Sequence, residues 1–295
     1  MTDQQTRFGT VVLAGRPNAG KSTLLNAIVG EKLAITSAKP QSTRHVVRGI
    51  VTDERSQLVF LDPPGLFAPA NLLQQSMVES AAHVLLAADV VLYLHAATDG
   101  TPPPLGALVP DFRPQSRPVA TVLTKIDLVP AADLAAPHAS HFAISAVTGM
   151  GIPELLGWCR DQVPAGPFRH DSDDLSSQDL RFFAAELVRE AAFELLDQEL
   201  PYAMAAAIDQ FRESPRPVYI RAVIYVERLS QKGMVIGKSG RTIKALGSLA
   251  RSKIEALLGE KVYLDLWVKV LPKWRTTASA LKLLGIPAPN RERHP

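Results

Sequence analysis

The sequence predicts two domains: an α/β domain with a mostly parallel sheet covered on both faces, then a smaller α+β domain. Three observations predict this. Up to Val163, short β-branched runs alternate with helical patterns. Beyond residue 180 the order becomes α-β-β-α-α-β. Between them lies PAGPFRHDSDDLSS, Pro164–Ser177, rich in Pro, Gly, Asp and Ser. A chain of 295 residues is long enough for two cores. The expected boundaries are 1–165 for the first domain, 166–180 for the linker, and 181–295 for the second domain with its C-terminal tail.

In order, TVVLAG, VVRGIVT, QLVFLD, DVVLYLH, PVATVLTK and HFAIS read as strands, being short and rich in β-branched residues. KSTLLNAIVG, LLQQSMVESAAHVLLA and IPELLGWCRDQV carry helical patterns between them, and this alternation implies parallel strands under helices. After the linker the pattern predicts a helix over 182–197, with a Ser or Asp of LSSQDLRF as its cap. Strands follow near 203–209 and at PVYIRAVIYVE, then helical segments around GKSG, then the strictly alternating KVYLDLWVKV.

The composition, 46% hydrophobic and 21% charged, is that of a globular chain rather than a disordered or fibrous one. A single cysteine, Cys159, excludes a disulfide framework, and no Cys/His cluster has zinc spacing. MTDQQTRFG lacks an apolar leader and no run approaches the ~18 residues of a membrane helix, so a cytoplasmic protein is expected. The net charge of +3 conceals an asymmetry: residues 1–176 hold 13 Lys/Arg against 16 Asp/Glu, residues 177–295 hold 19 against 13. From Arg228 to Lys253 there are seven basic residues and no acidic one, which points to an anionic partner. Nucleic acid leads; an acidic membrane surface is second.

GRPNAGKSTL follows directly on the first strand. Its G-x-x-x-x-G-K-[ST] spacing turns successive amides into one concavity backed by a helix N-terminus, a cradle for phosphates. Gly15, Arg16, Pro17, Asn18, Ala19, Gly20, Lys21, Ser22 and Thr23 are therefore assigned to a nucleoside triphosphate. Lys21 reaches its β- and γ-phosphates, and Ser22 holds Mg²⁺.

Four further stretches complete this site. Asp62, Pro63, Pro64 and Gly65 close the third strand, with Leu66 after them; Asp62 is placed to hold Mg²⁺ through water and the Gly65 amide to reach the γ-phosphate. Turn chemistry alone would also explain DPPG, and its place at a strand end favours the site. Thr124, Lys125, Ile126 and Asp127 close the fifth strand. The Asp127 carboxylate matches the N1–H and exocyclic amine of guanine; a helix N-cap is the plainer use of this residue. Sites built this way reject the wrong ligand by roughly 10⁴-fold. Ser145, Ala146 and Val147 follow the sixth strand, and their amides suit the guanine carbonyl while Lys125 lies along the base. The polar loop Ile35–His45 offers Thr43 as a third metal-shell oxygen. In the second domain GKSG lets the chain approach a nucleic-acid backbone, with Lys232, Gly237, Lys238, Ser239, Gly240, Arg241 and Lys244 as the RNA-binding set. Within the α-β-β-α-α-β order, that loop reads as a KH domain.

Taken together, GRPNAGKSTLLNAIVG, KPQSTRH, DPPG, TKID, SA, KGMVIGKSGRTIK and VYLDLWVKV closely resemble the Era family of bacterial GTPases over nearly the whole chain. The resemblance implies a P-loop GTPase domain joined to a type II KH domain. It implies a factor that hydrolyses GTP to GDP and phosphate, binds 16S ribosomal RNA near its 3′ end and assists assembly of the small (30S) subunit. A monomer with cytoplasmic residence and some peripheral inner-membrane association is implied too. Lys21, Thr43 and Gly65 are the catalytic candidates, and Ser22, Thr43 and Asp62 the Mg²⁺ set. Asn18 falls where several related GTPases bind K⁺. Three positions depart from the family pattern: Ala19 for Val, Thr124 for Asn in N-K-x-D, and Pro63 for Thr in D-T-P-G. Leu66 stands where Ras-like proteins carry a water-orienting glutamine, so slow intrinsic hydrolysis is expected. The rival is an RNA-binding assembly protein that uses GTP without hydrolysing it.

Overall fold

The computed structural model describes residues 5–37, 39–109, 117–130 and 141–289. Ala38 of the Ile35–His45 loop, the first four residues and the last six lie outside the described residues. The chain divides into two compact units, one running to Ser177 without Pro69–Ser76, the other made of Pro69–Ser76 and the chain from Gln178 onward.

The first unit holds a six-stranded sheet in the order β2-β3-β1-β4-β5-β6. These strands are β1 (Arg7–Gly15), β2 (Val47–Thr52), β3 (Ser56–Asp62), β4 (Val90–Ala96), β5 (Val119–Thr124) and β6 (His141–Ala143). Only β2 runs antiparallel, against β3. Val11 and Leu13 point to one face of β1, Val12 and Ala14 to the other, and all four are at most 1% exposed, so both faces are covered. One cover is α2 (Leu72–Ala87), whose Ala81 and Leu85 pack with Val12, Val59 and Val91. Helices α1 (Lys21–Val29), α3 (Leu105–Leu108) and α4 (Ile152–Gln162) complete the unit. The carboxyl ends of the parallel strands β1, β3, β5 and β6 lie along one edge of the sheet, where open α/β sheets place their ligands. Four separate sequence motifs are thereby delivered to one rim.

The stretch expected as a linker is ordered along this unit. Phe8 N–H donates to Pro164 O at 3.1 Å, and Ile50 N–H to Leu175 O at 2.8 Å. The buried Gln57 side chain accepts from the Arg169 and His170 amides at 2.8 and 2.9 Å. Pro and Gly content identified a segment without helix or ladder, but hydrogen bonds to β1, β2 and β3 hold it in place.

The second unit opens with α5 (Leu180–Leu195), capped by Asp179 Oδ1 accepting from Phe182 N–H at 2.8 Å. Then come α6 (Leu200–Ala203), β7 (Ala205–Arg212), β8 (Val218–Val226), α7 (Leu229–Ile236), α8 (Arg241–Leu258), β9 (Val262–Val270) and α9 (Ala278–Leu283). The sheet order is β7-β8-β9, antiparallel then parallel. One face is packed: Ile220, Ala222 and Ile224 of β8 meet Val188 and Ala191 of α5, Val235 of α7, and Leu246, Ala250 and Ile254 of α8. The last three recur every four residues along α8, the stripe expected of a helix lying on a sheet. Among the described residues no helix is long and apolar enough to cross a membrane.

Candidate functional site

The phosphate loop joins β1 to α1. Gly20, at φ 85°, takes the left-handed conformation before α1, and no side chain caps that helix. Its first amides are thus left for an incoming anion. Asn18 also has positive φ, 62°, which its short polar side chain tolerates. A cavity of about 300 Å³ opens here, lined by Pro17, Asn18, Gly20, Lys21, Ser22, Thr23, Thr43, Gly65 and Lys125 among others.

Oxygens from three distant motifs converge here, two on the cavity wall (Ser22, Thr43) and one, on Asp62, buried beside them and outside the lining. Ser22 Oγ donates to Asp62 Oδ2 at 2.6 Å and lies 3.1 Å from Thr43 Oγ1. Asp62 is fully buried, and its Oδ1 has no hydrogen-bond partner. Burial raises its pKa from 3.8 to about 6, against the opposing pull of Lys21 and the Ser22 hydrogen bond. Burial likewise lowers Lys21, while Asp62 draws it back. Lys21 Nζ donates to Arg16 O at 3.1 Å. Two hydroxyls and one carboxylate, whose Oδ1 is buried and unpaired, form an all-oxygen donor set, which suits Mg²⁺. No cluster of three His, Cys, Asp or Glu able to hold a metal occurs among the described residues, so an ion here would depend on the Asp62 carboxylate, the two hydroxyls and ligand oxygens.

Gly65 packs directly on the phosphate loop. A Cβ there would lie 2.6 Å from Pro17 N, so the close approach requires glycine. Leu66, by contrast, turns inward: it is 4% exposed and its N–H donates to Gly15 O at 3.0 Å. Neither its side chain nor its amide lines the cavity. Pro63 and Pro64 are buried behind it, and Ala19 is buried under the loop. Arg16 is exposed at the rim.

The third motif docks beneath the phosphate loop. Thr124 Oγ1 donates to Ala19 O at 2.9 Å and lies 3.3 Å from His95 O, so this threonine ties the two loops together. Lys125, at φ 59°, turns the chain into a single 3₁₀ turn, Ile126–Leu128, on which Asp127 is exposed. Ser145 is buried and organises its own loop: Oγ accepts from Thr148 N–H and its carbonyl from Gly149 N–H, at 3.2 and 2.9 Å. Asp127, Ser145, Ala146 and Val147 do not line the phosphate-end cavity; they stand on the loops after β5 and β6.

Of the loop Ile35–His45 sequence reading singled out Thr43 alone, whereas Ile35, Thr36, Ser37, Gln41 and Ser42 also face this cavity. That reading missed Asn26 as well. The Asn26 Oδ1 accepts from Leu33 and Ala34 N–H at 3.0 and 2.8 Å, and its Nδ2 donates to Ala34 O at 2.9 Å. An asparagine within the apolar pattern of α1 was the available signal.

In the second unit, Gly237 ends α7 at φ 72°, Lys238–Gly240 form one 3₁₀ turn, and Gly240 at φ 74° starts α8 without a side-chain cap. Part of the phosphate loop's device recurs: a left-handed glycine before a helix start without a side-chain cap, although here Arg241 N–H donates to Lys238 O. Lys238, Ser239, Arg241 and Lys244 are exposed around it, and Lys232 is partly so. Not every cation of the basic stretch is available, for Lys253 bonds Glu190 and Glu194 at 3.0 and 2.7 Å.

Two family descriptions match: "50S ribosome-binding GTPase" over residues 10–125 and "KH domain" over 199–275. GTPase Era of Carboxydothermus hydrogenoformans is 41% identical over 280 residues, 91% of this chain and 94% of the relative. GTPase Era of Thermotoga maritima is 41% identical over 283 residues, covering 91% and 93%. Among solved structures, an Aquifex aeolicus Era variant bound to GDP·AlF₄⁻ superposes with TM-score 0.89 at 35% identity, covering 96% of this chain and 100% of that one. A crystal structure of Era with MgGDPNP and nucleotides 1506–1542 of 16S ribosomal RNA has TM-score 0.88 at 35% identity, covering 96% and 99%. With a P-loop GTPase fold and a KH fold in this order, and such identity over nearly its full length, the chain belongs to the GTPase Era family.

Proposed function

We propose that this protein binds GTP with Mg²⁺, hydrolyses it to GDP and phosphate, and uses the nucleotide state to time its binding of 16S rRNA during assembly of the small ribosomal subunit. The convergence of Ser22, Thr43 and Asp62 beside Lys21 at the uncapped start of α1 carries this reading. Ser22, Thr43 and Asp62 would hold Mg²⁺, which would neutralise phosphate charge there. Lys21 and the loop amides bind the β- and γ-phosphates. Thr43 and the Gly65 amide close on the γ-phosphate from the other side, and Asp127 reads guanine. With Leu66 buried, its side chain orients no water. Hydrolysis is therefore slow until K⁺ at Asn18, backbone groups or a bound partner position the attacking water.

The RNA reading rests on the GKSG turn with its exposed cations, together with the relative whose structure holds 16S nucleotides. The description naming the 50S subunit matches only the GTPase half, so it bears less on the RNA than the KH half does. A cytoplasmic monomer with peripheral contact to the inner membrane completes the proposal. Phosphate release by purified protein, with co-sedimentation on small subunits in each nucleotide state, tests it. Tight GTP binding without phosphate release would favour a hydrolysis-deficient assembly protein.

A further inference from the structure

The face of the β7–β8–β9 sheet opposite the packed one carries a joined aromatic and cationic surface. Tyr219 and Tyr263 are register partners, their rings stacked at 5.7 Å and 12°. At the next outward pair Arg221 faces Asp265, and its guanidinium lies 5.9 Å from the Tyr219 ring and 5.6 Å from that of Trp267. Arg212 covers Tyr219 from β7 at 4.6 Å. Asp265 Oδ2 accepts from Tyr219 OH, Arg221 Nε and Trp267 Nε1, each at 3.0 Å, which holds the rings and the guanidinium in one array. Even so, Tyr263 is 61% and Trp267 50% exposed.

We propose that this sheet face is a second RNA-binding surface, taking two or three unstacked bases of a single strand on Tyr263, Trp267 and Arg221. It rests on the reading of the chain as an RNA binder and is separate from the GKSG turn between α7 and α8. Tyr263 and Trp267 lie four residues apart on one face of β9, about 13 Å at ~3.3 Å per residue. Sheets that bind RNA stack two or three bases in this way. Charge favours the same occupant. Asp265 is engaged by three donors and Asp209 lies 4.0 Å from Arg221 Nη1, while Arg212 and Lys269 make no ion pair among the described residues. An apolar protein partner would call for exposed aliphatic neighbours around the rings; Val223, the register partner of Trp267, is buried, and Arg212, Arg221 and Lys269 flank the rings.

The test uses the full chain with Mg²⁺ and a non-hydrolysable GTP analogue, titrated with a single-stranded RNA of about 15 nucleotides. Tyr263→Ala and Trp267→Ala should each weaken binding about tenfold, within the range of one lost base stack, and Trp267→Phe should restore most of it. Binding that survives Gly240→Asp should disappear when Trp267→Ala is added. Lys269→Glu, at an exposed position, should also weaken binding and keeps the test open if an alanine variant loses GTP affinity. Unchanged RNA affinity in folded Trp267→Ala and Lys269→Glu overturns the inference. So does a dimer dissolved by Trp267→Ala at unchanged RNA affinity, which assigns the face to a second copy. If the unsubstituted chain binds no RNA, the proposed function itself fails.

Discussion

Ser22 Oγ donates to Asp62 Oδ2 at 2.6 Å, joining a residue that lines the phosphate cavity to a buried one 40 residues on. The bond leaves Asp62 Oδ1 buried and unpaired, so the protein holds a desolvated carboxylate in wait for a cation.

That burial predicts a pH dependence. Asp62 is raised from 3.8 to about 6 in the folded chain, so between roughly pH 4 and 6 the folded state holds a proton that the unfolded state lacks. Stability of the metal-free protein should fall as pH rises through this window, by at most about 1.4 kcal/mol per pH unit. Denaturant titrations of the unsubstituted chain and Asp62→Asn measure it. The slope should vanish in Asp62→Asn; an equal slope in both assigns it to other groups.

Base choice depends on Asp127. GTP should be preferred to ATP by roughly 10⁴-fold. Asp127→Asn should weaken GTP and favour xanthosine triphosphate, whose edge presents a carbonyl at that place. Equal affinity of the unsubstituted chain for ATP and GTP, measured by calorimetry, would sink the assignment.

Thr124 predicts a stability effect. Thr124→Val keeps the shape but leaves the buried Ala19 carbonyl without its donor, which should cost about 1–3 kcal/mol in denaturant melts and weaken GTP. Thr124→Ser should retain most of both. Equal stability of the valine and serine variants would show that the hydroxyl does not tie the loops.

Asn18 predicts a cation effect. Hydrolysis in K⁺ should exceed that in Na⁺ by about tenfold, a small part of the 10³–10⁵ an arginine finger supplies, and Asn18→Ala should remove the difference. The same phosphate-release rate in both salts leaves Asn18 a turn residue only.

The GKSG turn predicts separable losses. Gly240→Asp should weaken RNA retention to the part carried by the sheet face and leave GTP affinity unchanged, because a Cβ there meets only Ile243, 3.9 Å away, and the strained φ is confined to the turn. Gly237 is the poorer probe, since a Cβ there would fall on Thr242 and disturb α8 itself. RNA binding by the unsubstituted chain should drop steeply with salt as phosphate counterions are released. Undiminished RNA affinity in Gly240→Asp would move the main site elsewhere.

Much of the site was legible because its signals are local. The spacing from Gly15 to Ser22 dictates a turn and a helix start whatever lies around it, and the same holds for Gly237 to Arg241. Alternation in KVYLDLWVKV and the unbroken apolar run VVLYL likewise distinguished a strand covered on one face from a strand covered on both. Other features depend on partners far along the chain, which no local pattern encodes. Leu66 follows the DPPG turn in sequence, yet the pairing of β1 with β3 turns its amide to Gly15 and its side chain inward. Thr124 reaches Ala19 because β5 ends beneath the phosphate loop, a matter of strand order. Lys253 belongs to a basic run by sequence, but α5 brings Glu190 and Glu194 against it. Tyr219, Arg221, Tyr263 and Trp267 become one surface only through the parallel register of β8 and β9. Backbone conformation follows from neighbours within a few residues, whereas side-chain company follows from register and packing, which the whole chain must settle at once.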